Sequence, residues 1–170
     1  MEVRYEHREK LTLIGYFTEI APNEGYEKCP EFWQKEYAER FARLFRTGEA
    51  LSEVEQAVLD NGIGTYSICA EAPCGFTYWI AGEYRGGAVP EGLELYTFPE
   101  SDWAVFPARG KLPESLQRLN TAVWTEWLPG EGRRFLANGT ATLEYYTTGD
   151  PESADYESGI MVPVTVLREA

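Results

Sequence analysis

The strongest constraint on this chain is that its pattern occurs twice. One helical pattern begins near Glu31 and a second near Glu114, while β-rich stretches begin near Phe76 and Gly159. Both pairs lie about 83 residues apart, too long a period for a solenoid and suited to duplication of one strand–helix–strand–strand unit. A single helix covers only one face of so small a sheet. Two units side by side would therefore form one antiparallel sheet with a central cleft between the halves. The expected fold is α+β, a single domain over residues 1–170, with pseudo-repeats at about 1–86 and 91–168. The stretch GGAVP at 86–90 would link them.

Residues 102–129 carry the unit most legibly. Trp103 and Val105 alternate with Ala104 and Phe106, the period of a half-buried strand. Arg109-Gly110 breaks that pattern, Pro113 sits just inside a helix start, and Glu114 follows at the positive end of the helix dipole. Leu116, Leu119, Val123 and Trp127 share one helical face, with Trp124 on its flank, and Pro129-Gly130 stops the helix. In the first half, residues 21–30 read as a loop and 31–45 as a helix. Trp33, Tyr37, Phe41 and Leu44 mark its inner face, and Glu36, Glu39, Arg40 and Arg43 its outer one. Ser52 and Glu55 form a capping box for a shorter helix ending at Asn61-Gly62. Strands are expected within 3–20 (two, with a turn), and at 64–71, 76–84, 93–98, 102–108, 140–147 and 159–167.

Composition removes several functions. Hydrophobic residues make up 44% and aromatics 14% of the chain, with 5 Trp, 11 Tyr and 8 Phe, and the aromatic surplus points to a pocket or an interface. A net charge of -13 repels phosphate backbones, so nucleic-acid binding by the chain itself is not expected, whereas cationic ligands are tolerated or attracted. Three cysteines (Cys29, Cys69, Cys74) without CxxC spacing, and His7 as the one imidazole, argue against a disulfide framework and against a zinc site. No metal and no cofactor are expected. No apolar run approaches about 18 residues, and the charged start MEVRYEHREK lacks a signal-peptide core, so the expectation is a cytoplasmic protein with no membrane span. His7 has no Ser or Cys nucleophile signature around it, and the isolated glycines lack the strand–GxGxxG–helix context of a phosphate loop. No catalytic residue is therefore assigned.

Several pieces carry a family resemblance. They are FTYWIAG at 76–82, WAVF at 103–106, Gly110 ahead of the second helix, EWLP at 126–129, Glu144-Tyr145, Gly149-Asp150-Pro151 and YESGIMVPV at 156–164. GYEKCPEFWQKEYAERFARL at 25–44 adds the first helix. In order and spacing the chain resembles the GyrI-like effector-binding domains, the C-terminal ligand sensors of many AraC-type and some MerR-type transcription regulators. The resemblance implies a cleft between duplicated units, floored by aromatic rings, that binds an amphipathic and in several members cationic small molecule. It implies DNA contact only through an attached or partner helix-turn-helix domain, because the repeats occupy almost all of this chain. A first strand so near residue 1 suits an excised domain. Some relatives are hydrolases of strained electrophilic compounds and others inhibit gyrase by binding protein, so a hydrolase and a protein-interaction module are the alternatives.

The same resemblance supplies the candidate site. Family members place an acid directly before the aliphatic residue of the closing strand, in a pattern like E-I-x-x-P, and this chain has Gly159 there. Glu157, two residues earlier, falls on the same strand face about 7 Å away and is the candidate counter-ion. Glu83 is its repeat-related alternative. Tyr78 and Trp79 alternate along one strand, so only one of them can face a cleft, and the resemblance favours Tyr78. Phe106, Trp127, Tyr145 and Met161 complete the candidate lining.

Overall fold

The computed structural model describes residues 1–137 and 141–166. In chain order the elements are β1 (Arg4–Arg8), β2 (Leu11–Ile20), α1 (Gly25–Glu36), α2 (Ala42–Thr47), α3 (Glu53–Asn61), β3 (Tyr66–Glu71), β4 (Phe76–Glu83), β5 (Glu94–Phe98), β6 (Ser101–Arg109), α4 (Glu114–Ala122), β7 (Phe135–Ala137), β8 (Ala141–Tyr146) and β9 (Glu157–Val166). The outermost residues of two expected strands, Thr140 and Leu167, lie outside the described residues. Among the described residues no helix is long and apolar enough to cross a membrane.

The class is α+β with antiparallel strand pairing, as the duplication predicts. The compact units, however, do not follow the repeat boundaries. One unit is Leu11–Thr97, and the other joins Met1–Lys10 to Phe98–Ala170. In the first the strand order is β5-β2-β4-β3, and in the second it is β1-β6-β9-β8, with β7 also paired to β9. These are the same arrangement written twice. Each repeat is strand–strand–helix–strand–strand, and its opening strand joins the sheet of the other unit. Nothing local marks this exchange, because β1 is an alternating strand that any free sheet edge can accept.

Each sheet buries one face under its own helices. In the Leu11–Thr97 unit, Ile14 and Ile80 meet Phe41, Leu44, Val58 and Ile63. Gly82 lets α3 end directly on β4, since a Cβ there would stand 2.1 Å from the Asn61 carbonyl oxygen. The Ser52 half of the capping box forms, its hydroxyl accepting from Glu55 N–H at 3.1 Å. The Glu55 carboxylate in turn accepts from Leu51 N–H at 2.9 Å and from Arg43 at 2.5 Å, tying α2 to α3. In the other unit, Ala104, Phe106, Ile160 and Val162 pack against Leu116, Val123 and Trp127 of the second helical segment. Each large side chain sealed this way contributes about 1.5–3 kcal/mol.

Two expectations about the first helix need correction. It starts at Gly25, not Glu31, and Pro30 lies inside it. Residues 25–30 were expected in the loop, yet a turn forms ahead of Pro30, with Glu27 and Lys28 N–H both donating to the Glu24 carbonyl. The inner face also differs. Residues Tyr37–Phe41 form a π turn in which Ala42 N–H donates to the Tyr37 carbonyl, five residues back. The extra residue rotates the helix, so Tyr37 is 59% exposed while Phe41 and Leu44 stay buried. Val123–Trp127 makes the matching π turn after α4, closing with Leu128 N–H on the Val123 carbonyl at 2.9 Å. There it brings both Val123 and Trp127 into the core and leaves Trp124 outside.

Candidate functional site

In the Leu11–Thr97 unit, β2, β4 and α1 assemble an aromatic group with a carboxylate at its edge. Tyr16 and Tyr78 stand on the helix-facing side of the sheet, where Tyr16 is opposite Ile80 and Tyr78 opposite Thr18. Phe32 presents its edge to both, with ring centroids 5.9 Å from Tyr16 and 6.4 Å from Tyr78. Trp33 Nε1 donates to the Tyr78 hydroxyl at 2.9 Å, which lets a phenol that is 2% exposed remain satisfied. Tyr16 donates to Glu36 Oε2 at 2.9 Å, and the Arg40 guanidinium carbon lies 5.5 Å from the Tyr16 ring centroid. Burial, reinforced by the Glu36 charge, drives the Tyr16 pKa far above the ordinary phenol value, so the hydroxyl stays a donor at all physiological pH.

Trp79 faces the other way. Its ring lies 4.8 Å from Phe17 and 5.7 Å, edge-on, from Tyr96, and its Nε1 donates to Thr77 at 3.1 Å. Tyr78 and Trp79 therefore belong to opposite faces of one sheet, as their alternation requires. Glu83 is exposed at the last position of β4, paired with Leu13.

In the other unit the candidates also divide between faces. Phe106 and Trp127 meet edge to face at 5.0 Å inside the helix-covered core, both essentially inaccessible. Their role there is packing. On the opposite face, Met161 is buried between Val105 and Leu143, its partners in the flanking strands. Tyr145 and Glu157 share that face, Tyr145 half-buried and Glu157 exposed. Tyr145 pairs directly with Gly159, and its ring occupies the space a side chain at 159 would fill: a Cβ there would come within 2.3 Å of Cε1, Cζ and Oη. Burial raises the Tyr145 pKa, with Arg4 pulling against it and the Glu157 charge adding to it. Glu157 also borders a surface depression of about 250 Å³ lined by Thr147, Asp150, Ser153, Asp155 and Tyr156.

Sequence reasoning missed Glu36 and Arg40 by assigning both to the outer helix face. Glu36 follows Phe32 by one helical turn on α1, ahead of the π turn, and it was hidden because its partner Tyr16 lies on a strand twenty residues away; Arg40 lies within the π turn, which leaves no periodic signature. Among the described residues, His7, Glu9 and Glu100 place three metal-ligating atoms within 4.8 Å of one another, all exposed. Both His7 ring nitrogens are already engaged, with Asp102 at 2.8 Å and Glu100 at 2.9 Å, so the group reads as an ion-pair cluster.

Related folds follow this architecture closely. SAV2435 bound to tetraphenylphosphonium superposes with a TM-score of 0.69 at 21% identity, over 97% of this chain and 94% of that one. The EcmrR C-terminal domain gives 0.60 at 14% identity over 98% of both chains, and a hydrolase from Listeria innocua gives 0.51 at 12% identity over 96% and 92%. No curated protein matches the chain. Residues 1–165 match the family model described as a GyrI-like small molecule binding domain, and the chain belongs to that family.

Proposed function

We propose that this chain is the ligand-sensing domain of a bacterial transcription regulator and that it binds an amphipathic, cationic small molecule. The observation that carries the reading is Glu157 and Tyr145 on one face of the β8–β9 pair, a carboxylate and a half-buried ring within a family of small-molecule binders. A cation is stabilised by both at once, by charge pairing and by attraction to the ring face. The chain's net charge of -13 favours its approach. The structural similarity to a protein holding tetraphenylphosphonium supports the choice of ligand class, and the similarity to the EcmrR C-terminal domain supports the regulatory setting. DNA would be reached through an attached or partner helix-turn-helix domain.

The experiment is a thermal-shift titration with tetraphenylphosphonium, a neutral aromatic and an organic anion. Binding to the folded state at a hundredfold excess over Kd stabilises by about 2.7 kcal/mol, which is readily seen. Stabilisation by the cation that weakens in Glu157→Gln supports the reading. Stabilisation by neutral compounds only, unchanged in that variant, removes Glu157 from the site. Turnover of a strained electrophile would favour the hydrolase alternative, and a protein partner with no small-molecule affinity the interaction module.

A further inference from the structure

Resting on the reading of the chain as a cation-binding sensor, we propose that Arg40 is a resident occupant of a cation subsite built from Tyr16, Phe32 and Glu36, and that a cationic ligand enters by displacing its guanidinium. The subsite is complete without any ligand. A ring face, a second ring set edge-on 5.9 Å away and a carboxylate bonded to the first ring's hydroxyl at 2.9 Å are the elements that recognise an organic cation. Arg40 already stands over the first of them, with its guanidinium carbon 5.5 Å from the Tyr16 centroid.

Arg40 is also placed to leave. It sits in the π turn Tyr37–Phe41, one position before its buried end, and the turn is the least regular stretch of the helix that carries Glu36. The side chain is half-buried and long, so a change of rotamer moves the charge several ångströms without disturbing the buried Phe41 beside it. A second acid lies within its field: the Glu55 carboxylate that holds Arg43 also feels the Arg40 charge. The guanidinium therefore has an acidic neighbourhood outside the subsite. Tyr16, Phe32 and Glu36 are all half-buried, which keeps the subsite reachable from solvent. An arginine in the place of the ligand imposes a threshold: an incoming cation must bind more tightly than the internal one that it replaces.

Calorimetric titration with tetraphenylphosphonium tests this on the wild type, Arg40→Gln and Arg40→Met, with circular dichroism to verify folding of each. Removing the resident cation is expected to tighten binding by about threefold to tenfold, the range set by one partly desolvated cation–π contact. Arg40→Lys, which keeps a charge, should tighten it less. In the Arg40→Gln background, Glu36→Gln should weaken binding by about tenfold. If the wild type binds the cation and both Arg40 variants bind it equally or more weakly, Arg40 is not an occupant, and the sensor reading stands without this subsite. If neither wild type nor variants bind, both the subsite and the cation-sensor reading fall.

Discussion

The ring of Tyr145 lies over Gly159, directly across the β8–β9 ladder, in the volume that any side chain at 159 would need. The position at which the family resemblance expects an acid is therefore covered by an aromatic from the neighbouring strand. The pairing resembles a cross-strand aromatic shielding a strand glycine, which compensates for the packing that glycine cannot provide. Gly159 is needed for space, not for backbone conformation, since it is absent from the positive-φ glycines of the chain. Gly159→Ala should cost about 1–3 kcal/mol in urea denaturation, because the ring must swing away from a Cβ that would overlap it. Tyr145→Ala added to that variant should recover part of the loss. Equal stability of Gly159→Ala and wild type would show that the ring has room to move.

Phe106 and Trp127 carry the opposite expectation. Both were candidates for a ligand lining, and both are sealed against the helix-covered face of the sheet. Phe106→Ala should destabilise the fold by about 3–5 kcal/mol, as for other large aromatic truncations. Trp127 Nε1 has no hydrogen-bond partner among the described residues, so Trp127→Phe removes a buried unsatisfied donor along with some packing. It should therefore cost clearly less than Phe106→Ala when the two are compared by thermal denaturation. A Trp127→Phe loss as large as that of Phe106→Ala would mean that the indole is held by more than packing.

The strand alternation around Trp103 and the capping residue Ser52 were legible because each is written within a few consecutive residues, and the duplication because such local patterns recur about 83 residues apart. The alternation of Tyr78 and Trp79 was equally legible, and the structure divides them between two faces as alternation demands. What was hidden depends on distant partners. No local pattern assigns β1 to β6, because an alternating strand fits any edge of matching polarity. The π turns were hidden for a different reason. They shift a helical face by one residue, which leaves Tyr37 exposed and Phe41 buried without changing the composition of the helix. Gly159 was visible as a missing acid, but the ring that fills its place comes from β8 and could not be read from β9.

His7 joins the exposed end of β1 to the β5–β6 turn through Asp102 and Glu100. The hydrogen bonds to Asp102 and then Glu100 raise its pKa above the ordinary value of 6.5. A histidine whose pKa is raised by folding stabilises the protein below the unfolded pKa, and that stabilisation is lost as pH rises through the folded value. Stability should therefore decline slightly from about pH 6.5 upward, and this part of the pH dependence should vanish in His7→Gln. As the only histidine in the chain, its ring protons give a direct NMR titration. The shift should shrink at high salt, since the cluster is exposed. A titration midpoint at or below 6.5 would refute the clamp.

The exchanged strands make a strong prediction about fragments. A chain cut within 86–90 divides at the apparent linker between the repeats, and each piece then holds one complete strand–strand–helix–strand–strand repeat. If the repeats were the folding units, both pieces would fold alone. The compact units are different: residues 1–90 lack β5, which belongs beside β2, and residues 91–170 lack β1, which belongs beside β6. Each fragment therefore carries a strand with no sheet to join and an uncovered edge on β2 or β6. The bare β6 edge carries Trp103 and Val105, which β1 otherwise pairs through Glu6 and Arg4. Uncovered edges of this kind associate. The separate fragments should be aggregated or largely unfolded by circular dichroism and sedimentation. Mixed during refolding, they should recover a native-like complex containing one copy of each fragment. Two independently folded monomeric fragments would show that β1 and β5 can return to their own repeats, and that the exchange adds little to the stability of either unit.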